Sequence, residues 1–190
     1  MSRKNWLIVA LLLVGVAGMA ALEGVIKPRA NEQAVQYEAA QNDPLTHDIR
    51  NSLGFASPYM GNAGNLINLN ASLPMRDIGR TFQLYPEELT AELRFQARAG
   101  DLQEEKLKQL LVYNSTANFA MIDNLQKLIF VFEDQAFTIR RDEVESWYGS
   151  QVTLASLRDA GTWEKEVQSR LDDRKYVSDY VENLVERKYL

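Results

Sequence analysis

The sequence predicts an α+β fold: a four-stranded antiparallel sheet with helices packed on one face, an N-terminal transmembrane helix and a long C-terminal helix. Three observations predict it. Residues 6–22 carry no charge, residues 90–97 alternate strictly between apolar and polar side chains, and apolar residues recur at helical spacing after residues 101 and 162. The expected segments are a membrane segment at 1–22, a linker at 23–44, the α+β domain at 45–161 and a C-terminal amphipathic helix at 162–190.

The N-terminal segment has the pattern of a membrane anchor or of a signal peptide. Arg3 and Lys4 precede the uncharged run, and basic residues before such a run stay on the cytoplasmic side. The run of 17 residues reaches the lower limit of a spanning helix, roughly 17 to 25 residues, and exceeds a signal core of about 7 to 15. An uncleaved anchor predicts a single-pass cell-membrane protein with an extracytoplasmic domain, whereas cleavage after Ala20 or Ala21 predicts secretion.

Composition excludes several kinds of chemistry. The chain has no cysteine, which removes disulfides, thiol catalysis and thiolate metal sites. Neither an HExxH pattern nor an EF-hand loop is present, so we expect no metal and no cofactor. Without Arg3 and Lys4, 19 basic residues face 26 acidic ones. An acidic domain is repelled by nucleic acid, so a nucleic-acid partner is not expected.

The first elements follow from turn and capping signals. Residues 23–44 contain two prolines and few apolar residues, which predicts a mobile linker with a transient helix. Residues 57–65 are dense in turn-forming residues. Asn62 or Asn65 is expected to cap a short helix that Pro74 ends.

Strands and helices then alternate along the chain. Residues 81–85 and 90–97 predict a hairpin around a turn at 86–88. A helix is expected from about residue 101 to 124, followed by a central strand at 128–132 because that run is apolar without alternation. The remaining predicted elements are a strand at 136–140 and short helical segments at 142–147 and 153–160.

The C-terminal segment, residues 162–190, predicts one helix because it contains neither glycine nor proline and has apolar residues at helical spacing. Such a helix is about 40 Å long at 1.5 Å per residue, more than one small domain covers. Its second half is expected to dock a protein partner or a second copy of the chain; the alternative is that it returns along its own domain. The candidate docking residues are Tyr176, Val177, Tyr180, Val181 and Leu184.

Two groups of polar residues are candidates for a site. His47 is the only histidine, and without a GxSxG or SxxK pattern it is expected to be a surface residue without a catalytic role. Asn114 and Asn118 lie on the apolar stripe of the predicted long helix, so their amides must find partners. Together with Tyr59 they form a candidate ligand pocket; the alternative is that the amides bond to the backbone or hold the loop that contains Tyr59.

Motifs in the middle of the chain resemble a known bacterial family. Residues 112–124 read Val-Tyr-Asn-Ser-Thr-Ala-Asn-Phe-Ala-Met-Ile-Asp-Asn and lead into the apolar run at 128–132; Trp147-Tyr148-Gly149 follows. Upstream, Pro58-Tyr59-Met60-Gly61-Asn62 precedes Leu66-Ile67 and Leu73-Pro74. Over about residues 48 to 160 this pattern resembles the family called domain of unknown function 4825, with Ser115 where alanine is usual. The resemblance implies an extracytoplasmic domain behind a membrane anchor or on a sensor-type protein, without a known activity.

The function expected from these observations is non-catalytic. We expect this chain to be an anchored extracytoplasmic domain that binds a protein or envelope component and has a role in sensing. One alternative is a sensor that binds a small ligand, and a second is an enzyme of an unrecognised type. Trp147, Tyr148 and Trp163 either line a binding groove or anchor short helices on the core.

Overall fold

The computed structural model describes Trp6 and residues 27–190, and the chain divides into two compact units, residues 1–40 and 41–190. In the first unit, the described residues from 27 onward belong to helix α1 (Lys27–Gln41), whose side chains are exposed along residues 32–39. The predicted membrane segment, residues 1–22, lies outside the described residues apart from Trp6. Within the part that is described, no helix has the length and apolar character that crossing a membrane requires.

The second unit contains a mixed five-stranded sheet in the order β1-β2-β3-β4-β5. Strands β1 and β2 form the predicted hairpin, with residues 86–88 in a short 3-10 turn and Leu89 in the left-handed region at φ 48°. Strands β3 and β4 form a second hairpin, and β4 pairs with β5. The strands are β1 (Arg80–Tyr85), β2 (Thr90–Phe95), β3 (Lys127–Val131), β4 (Gln135–Arg140) and β5 (Glu186–Tyr189).

The prediction of four antiparallel strands is therefore wrong in two respects. Strands β2 and β3 are parallel, with Leu93 beside Phe130, because the 18-residue helix α3 (Glu104–Met121) connects them. A crossover of this length returns the chain in the same direction, whereas antiparallel neighbours need only a tight turn. The fifth strand lies in the segment that was expected to be helical.

The remaining helices of the second unit mostly start at side-chain caps. Helix α2 begins after Asn62, whose side chain accepts a hydrogen bond from the Asn65 amide, as one of the two predicted caps. Gly149, at φ 72°, ends helix α4, as expected for a helix stop. The helices are α2 (Ala63–Ser72), α4 (Arg141–Tyr148), α5 (Ala160–Glu166) and α6 (Arg174–Leu184).

A single C-terminal helix over residues 162–190 does not form. The segment is divided into helix α5, a 3-10 turn at Gln168–Asp172, helix α6 and strand β5. Helix α6 has its own N-cap, since the Asp173 side chain accepts hydrogen bonds from the amides of Lys175 and Tyr176. A carboxylate at this position satisfies amides that have no partner within the helix. The break lets α6 pack on the domain instead of projecting from it.

One face of the sheet packs on the core. On β3, Leu128 and Phe130 are fully buried while their neighbours Lys127, Ile129 and Val131 are half-buried. Helix α3 is buried on nearly every side from Leu107 onward, as expected for a helix enclosed by its own domain. The polar side chains of α3 therefore lie inside the protein.

Candidate functional site

Helix α3 holds the two asparagines of the candidate ligand pocket. Asn118 is completely buried, and its amide forms a reciprocal pair with that of Asn70 on helix α2: Asn70 Nδ2 donates to Asn118 Oδ1 at 2.9 Å, and Asn118 Nδ2 donates to Asn70 Oδ1 at 3.0 Å. The second hydrogens of the two amides go to the backbone carbonyls of Leu66 and Asn114. Every hydrogen-bonding group of this pair thus has a partner inside the protein.

The third member of the predicted pocket lies elsewhere. Tyr59 is 68% exposed, whereas Asn114 is buried and donates to the carbonyl of Pro74 at 3.1 Å. The loop of Tyr59 is held by Asn124, whose Oδ1 accepts a hydrogen bond from the Met60 amide. Asparagine does hold this loop, but the residue is Asn124, the last residue of the 112–124 motif, which lies beyond the end of helix α3. The structure places the two amides in the core and Tyr59 on the surface.

Two hydroxyl groups of α3 connect the helix to the C-terminal part of the chain. Ser115 Oγ lies 2.9 Å from Tyr180 Oη on helix α6. Thr116 Oγ1 lies 3.2 Å from Tyr148 Oη on helix α4. Burial raises the pKa of both Tyr148 and Tyr180, so both phenols stay protonated at neutral pH. Ser115 and Thr116 thus connect α3 to the neighbouring helices α6 and α4.

The C-terminal end of α3 is neutralised by a buried cation. Arg141 donates from Nη2 to the carbonyls of Phe119 and Ile122 and from Nε to the carbonyl of Leu125. These carbonyls lie at the helix end, or just beyond it, where backbone acceptors lack helical partners, and a positive charge there is favourable. The Arg141 side chain therefore has a structural role, because its donors bind backbone carbonyls of the domain.

His47 is buried, so the prediction of a surface histidine is wrong. It is only 2% exposed; its Nε2 lies 2.7 Å from the carbonyl of Ser72 and its Nδ1 lies 2.7 Å from Tyr113 Oη. A carbonyl only accepts, so Nε2 carries the proton, and neutral imidazole then accepts from the tyrosine at Nδ1. Burial lowers the pKa of His47, against the opposing effects of Ser72 and of Asp48, so the neutral ring is the stable form.

The predicted docking face of the C-terminal segment is covered by its own domain. Val177 and Tyr180 are fully buried, Leu184 and Val181 are 6% and 7% exposed, and only Tyr176 is half-buried. The core reaches this face because α6 packs on α3. An unpartnered apolar stripe, on which the docking hypothesis rested, is therefore absent from the described helix.

A polar cleft of about 540 Å³ lies between residues 45–50 and the start of α5. Two of its charged side chains are engaged with each other, since Arg50 and Asp48 form a bidentate pair, and the third, Glu164, is exposed to solvent. Gln168 Nε2 donates hydrogen bonds to the carbonyls of Pro44 and His47. This cleft offers few free groups to a ligand.

An aromatic surface with two clefts lies where α4, α5 and α6 meet; we call it the Trp147 surface. The first cleft, about 220 Å³, is lined by Trp147, Tyr148, Glu166, Arg170 and Tyr176. Trp147 Nε1 donates to Tyr176 Oη at 2.9 Å, which fixes the two rings at an interplanar angle of 60°. The second cleft, about 400 Å³, shares Trp147 and is otherwise lined by Asp142, Glu143, Ser146, Asn183 and Leu184.

The sequence pointed only partly to this surface. Trp147 and Tyr148 were among the aromatic residues considered for a groove, but the third, Trp163, is fully buried and packs edge-on against Tyr113. Glu166 and Arg170 were missed because single charged residues at a helix end and in a 3-10 turn carry no distinctive sequence pattern. The Glu166 side chain is only 18% exposed, a state that no local sequence signal predicts. Within the described residues, no group of three or more histidine, aspartate or glutamate side chains is arranged to hold a metal ion.

Comparison with known proteins identifies the central region. The model of the family described as Domain of unknown function (DUF4825) matches residues 53–143. No curated protein and no solved structure matches the chain significantly. The matched region runs from the loop before α2 to the first turn of α4 and includes the whole of α3. The finding thus supports a likeness to the family described as Domain of unknown function (DUF4825) over residues 53–143.

Proposed function

We propose that the protein is a membrane-anchored, extracytoplasmic binding domain without catalytic activity, which binds a protein or envelope component at the Trp147 surface and serves in sensing. Residues 6–22 are the anchor, with the N-terminus in the cytoplasm. The proposal rests on sequence for the topology and on the arrangement of polar groups for the binding role.

One observation supports a binding role most directly: three polar side chains in the middle of α3 are used inside the domain. Asn118, Ser115 and Thr116 all bond to neighbouring elements. Buried, fully bonded polar groups make a fold specific and rigid, and they are not available to a substrate. The motif residues of α3 therefore stabilise the fold, and the partner is bound by the Trp147 surface that this fold supports.

The Trp147 surface suits that role because it combines aromatic rings with exposed polar groups. Tryptophan and tyrosine are enriched at binding surfaces, since they combine a large apolar area with a polar tip. Trp147 and Tyr176 are half-buried and locked together by their hydrogen bond, so little conformational entropy is lost when a partner binds. Most of this surface, including Trp147 and Tyr176, lies after residue 143, where the match to the family model ends.

The topology is tested with protease added to intact cells or spheroplasts. Two basic residues before the uncharged run predict that the domain is digested from outside. A domain that stays completely protected until the membrane is lysed would contradict the proposed location.

Binding is tested in intact cells by placing a photo-crosslinking residue at Ser146, with Ser156 as the matched control. Both serines are exposed and donate a hydrogen bond to a nearby backbone carbonyl, but only Ser146 lines the Trp147 surface. We expect one discrete adduct from Ser146 that is absent from Ser156 and is lost in a Trp147→Leu variant. Identical adduct patterns at the two positions would refute the site.

A further inference from the structure

We infer that the smaller cleft of the Trp147 surface binds a zwitterionic headgroup of the phosphocholine type, with its quaternary ammonium among the aromatic rings and its phosphate on Arg170. This inference rests on the proposed function and specifies which part of the envelope component the cleft recognises. It concerns only the five residues that line the cleft of about 220 Å³.

The aromatic side of the cleft fits a diffuse cation. Trp147, Tyr148 and Tyr176 line it together, and the faces of such rings attract ammonium groups, with tryptophan the strongest. A guanidinium already lies over one of these rings: Arg170 Cζ is 5.5 Å from the centroid of Tyr176. That face of Tyr176 is therefore occupied by Arg170, and the rings left for the ammonium of a ligand are mainly those of Trp147 and Tyr148.

The two charged groups of the cleft differ in what they leave free. Glu166 Oε1 accepts a hydrogen bond from Lys165 Nζ at 2.6 Å, and the Glu166 side chain is otherwise largely covered. Arg170 is exposed and, among the described residues, its guanidinium has no carboxylate within ion-pair distance. A phosphate or carboxylate oxygen is the natural partner of such a free fork of donors.

The balance of charge selects a zwitterion over a simple ion. Glu166, the last residue of α5, and Arg170, in the following 3-10 turn, both line the cleft, so their charges nearly cancel and a singly charged ligand gains little from the field of the cleft. A ligand with both signs pairs its cation with the rings and Glu166 and its anion with Arg170. Binding of such a ligand does not require Glu166 or Arg170 to gain or lose a proton.

Methylation of the ammonium follows from the shortage of acceptors. A primary ammonium is strongly hydrated and needs three acceptors when it leaves water, but the cleft offers a single carboxylate beside three rings. A trimethylammonium group has no N–H and loses little hydration, so the rings are sufficient. The volume also fits a small headgroup, because it lies below the roughly 300–1,000 Å³ of pockets for drug-sized ligands.

The test is calorimetric titration of the full-length chain in a maltoside detergent, which contains no choline group. The probes are phosphocholine, phosphoethanolamine, tetramethylammonium and inorganic phosphate. We expect saturable binding of phosphocholine, at least about tenfold tighter than that of phosphoethanolamine, which differs only in its three methyl groups, and weaker binding of either half alone.

Two variants that each remove one charge separate the parts of the site, and circular dichroism verifies that both are folded. Arg170→Gln is expected to weaken phosphocholine binding about tenfold or more and to leave tetramethylammonium binding unchanged. Glu166→Gln is expected to weaken both. Arg174→Gln is the matched control, because Arg174 is an exposed arginine that lines a different cleft, and it should change neither.

Each outcome is decisive. No saturable binding of phosphocholine up to about 10 mM, equal affinity for phosphoethanolamine, or full affinity in Arg170→Gln overturns the inference. If these occur while Ser146 still crosslinks specifically to an envelope component, the ligand class is wrong and the proposed function stands. If phosphocholine binds as expected, vesicles of phosphatidylcholine distinguish a lipid source from a soluble or polymer-borne one, and either source supports the inference.

Discussion

The amide pair between Asn70 and Asn118 makes a quantitative test of whether the motif asparagines are structural. Replacing Asn118 with alanine removes both reciprocal bonds of 2.9 and 3.0 Å and leaves an acceptor and a donor of Asn70 without partners in the core. Each buried unsatisfied group costs about 1–3 kcal/mol, so with the lost volume we expect the free energy of unfolding to fall by about 3–5 kcal/mol. Asn70→Ala should cost a similar amount for the same reason.

The double variant Asn70→Ala/Asn118→Ala measures the interaction energy between the two amides. With both amides absent, neither leaves the other unsatisfied, so the double loss should be smaller than the sum of the single losses by about 2 kcal/mol, within the usual range for contacting residues. Thermal and urea unfolding of the full-length chain measure all four proteins. For a domain of this size each single variant should lower the melting temperature by roughly 6 to 20 °C.

Asn68→Ala is the control for this cycle, because Asn68 is exposed on the same helix α2 and should change stability by no more than about 0.5 kcal/mol. Two results would refute the structural interpretation. One is a coupling within about 0.5 kcal/mol of zero. The other is full stability of Asn118→Ala, which would return the amides to the role of ligand-binding groups.

Three further predictions concern titration, the C-terminal helix and the buried arginine. Burial lowers the pKa of His47 below its ordinary value of 6.5, so the unfolded chain takes up a proton that the folded chain does not, and the free energy of unfolding should fall as the pH drops below about 6.5. The His47→Gln variant should lack that part of the pH dependence, and equal slopes of unfolding free energy against pH in the two proteins would contradict the prediction. Leu184→Ala should cost about 2–5 kcal/mol in chemical unfolding, with exposed Glu182→Ala nearly neutral; an unchanged midpoint would restore the idea of a free docking face. Arg141→Met should lower the melting temperature by several degrees because it leaves backbone carbonyls at the end of α3 unpaired, whereas the exposed neighbour Arg140→Met should have little effect, and similar losses in both would refute the assignment.

Several elements could be predicted because their signals are local. The alternation through Leu93 and Phe95, the cap at Asn62 and the stop at Gly149 each depend on residues within one turn or one strand. Backbone preference and side-chain periodicity operate at that range. The sequence alone therefore determined where most strands and helices lie, and it determined that the α3 asparagines fall on a buried face.

How these elements pack against each other depends on contacts between residues that are distant in sequence. Strand β5 has four exposed residues and no apolar alternation, and it is a strand because the edge of β4 offers it hydrogen-bond partners. His47 is buried because Tyr113 and Ser72, distant in sequence, supply groups that complement its ring. The stripe on α6 is covered because α3 lies against it. Each of these outcomes depends on residues far apart along the chain, and periodicity within one segment contains no information about which distant surface will bury it.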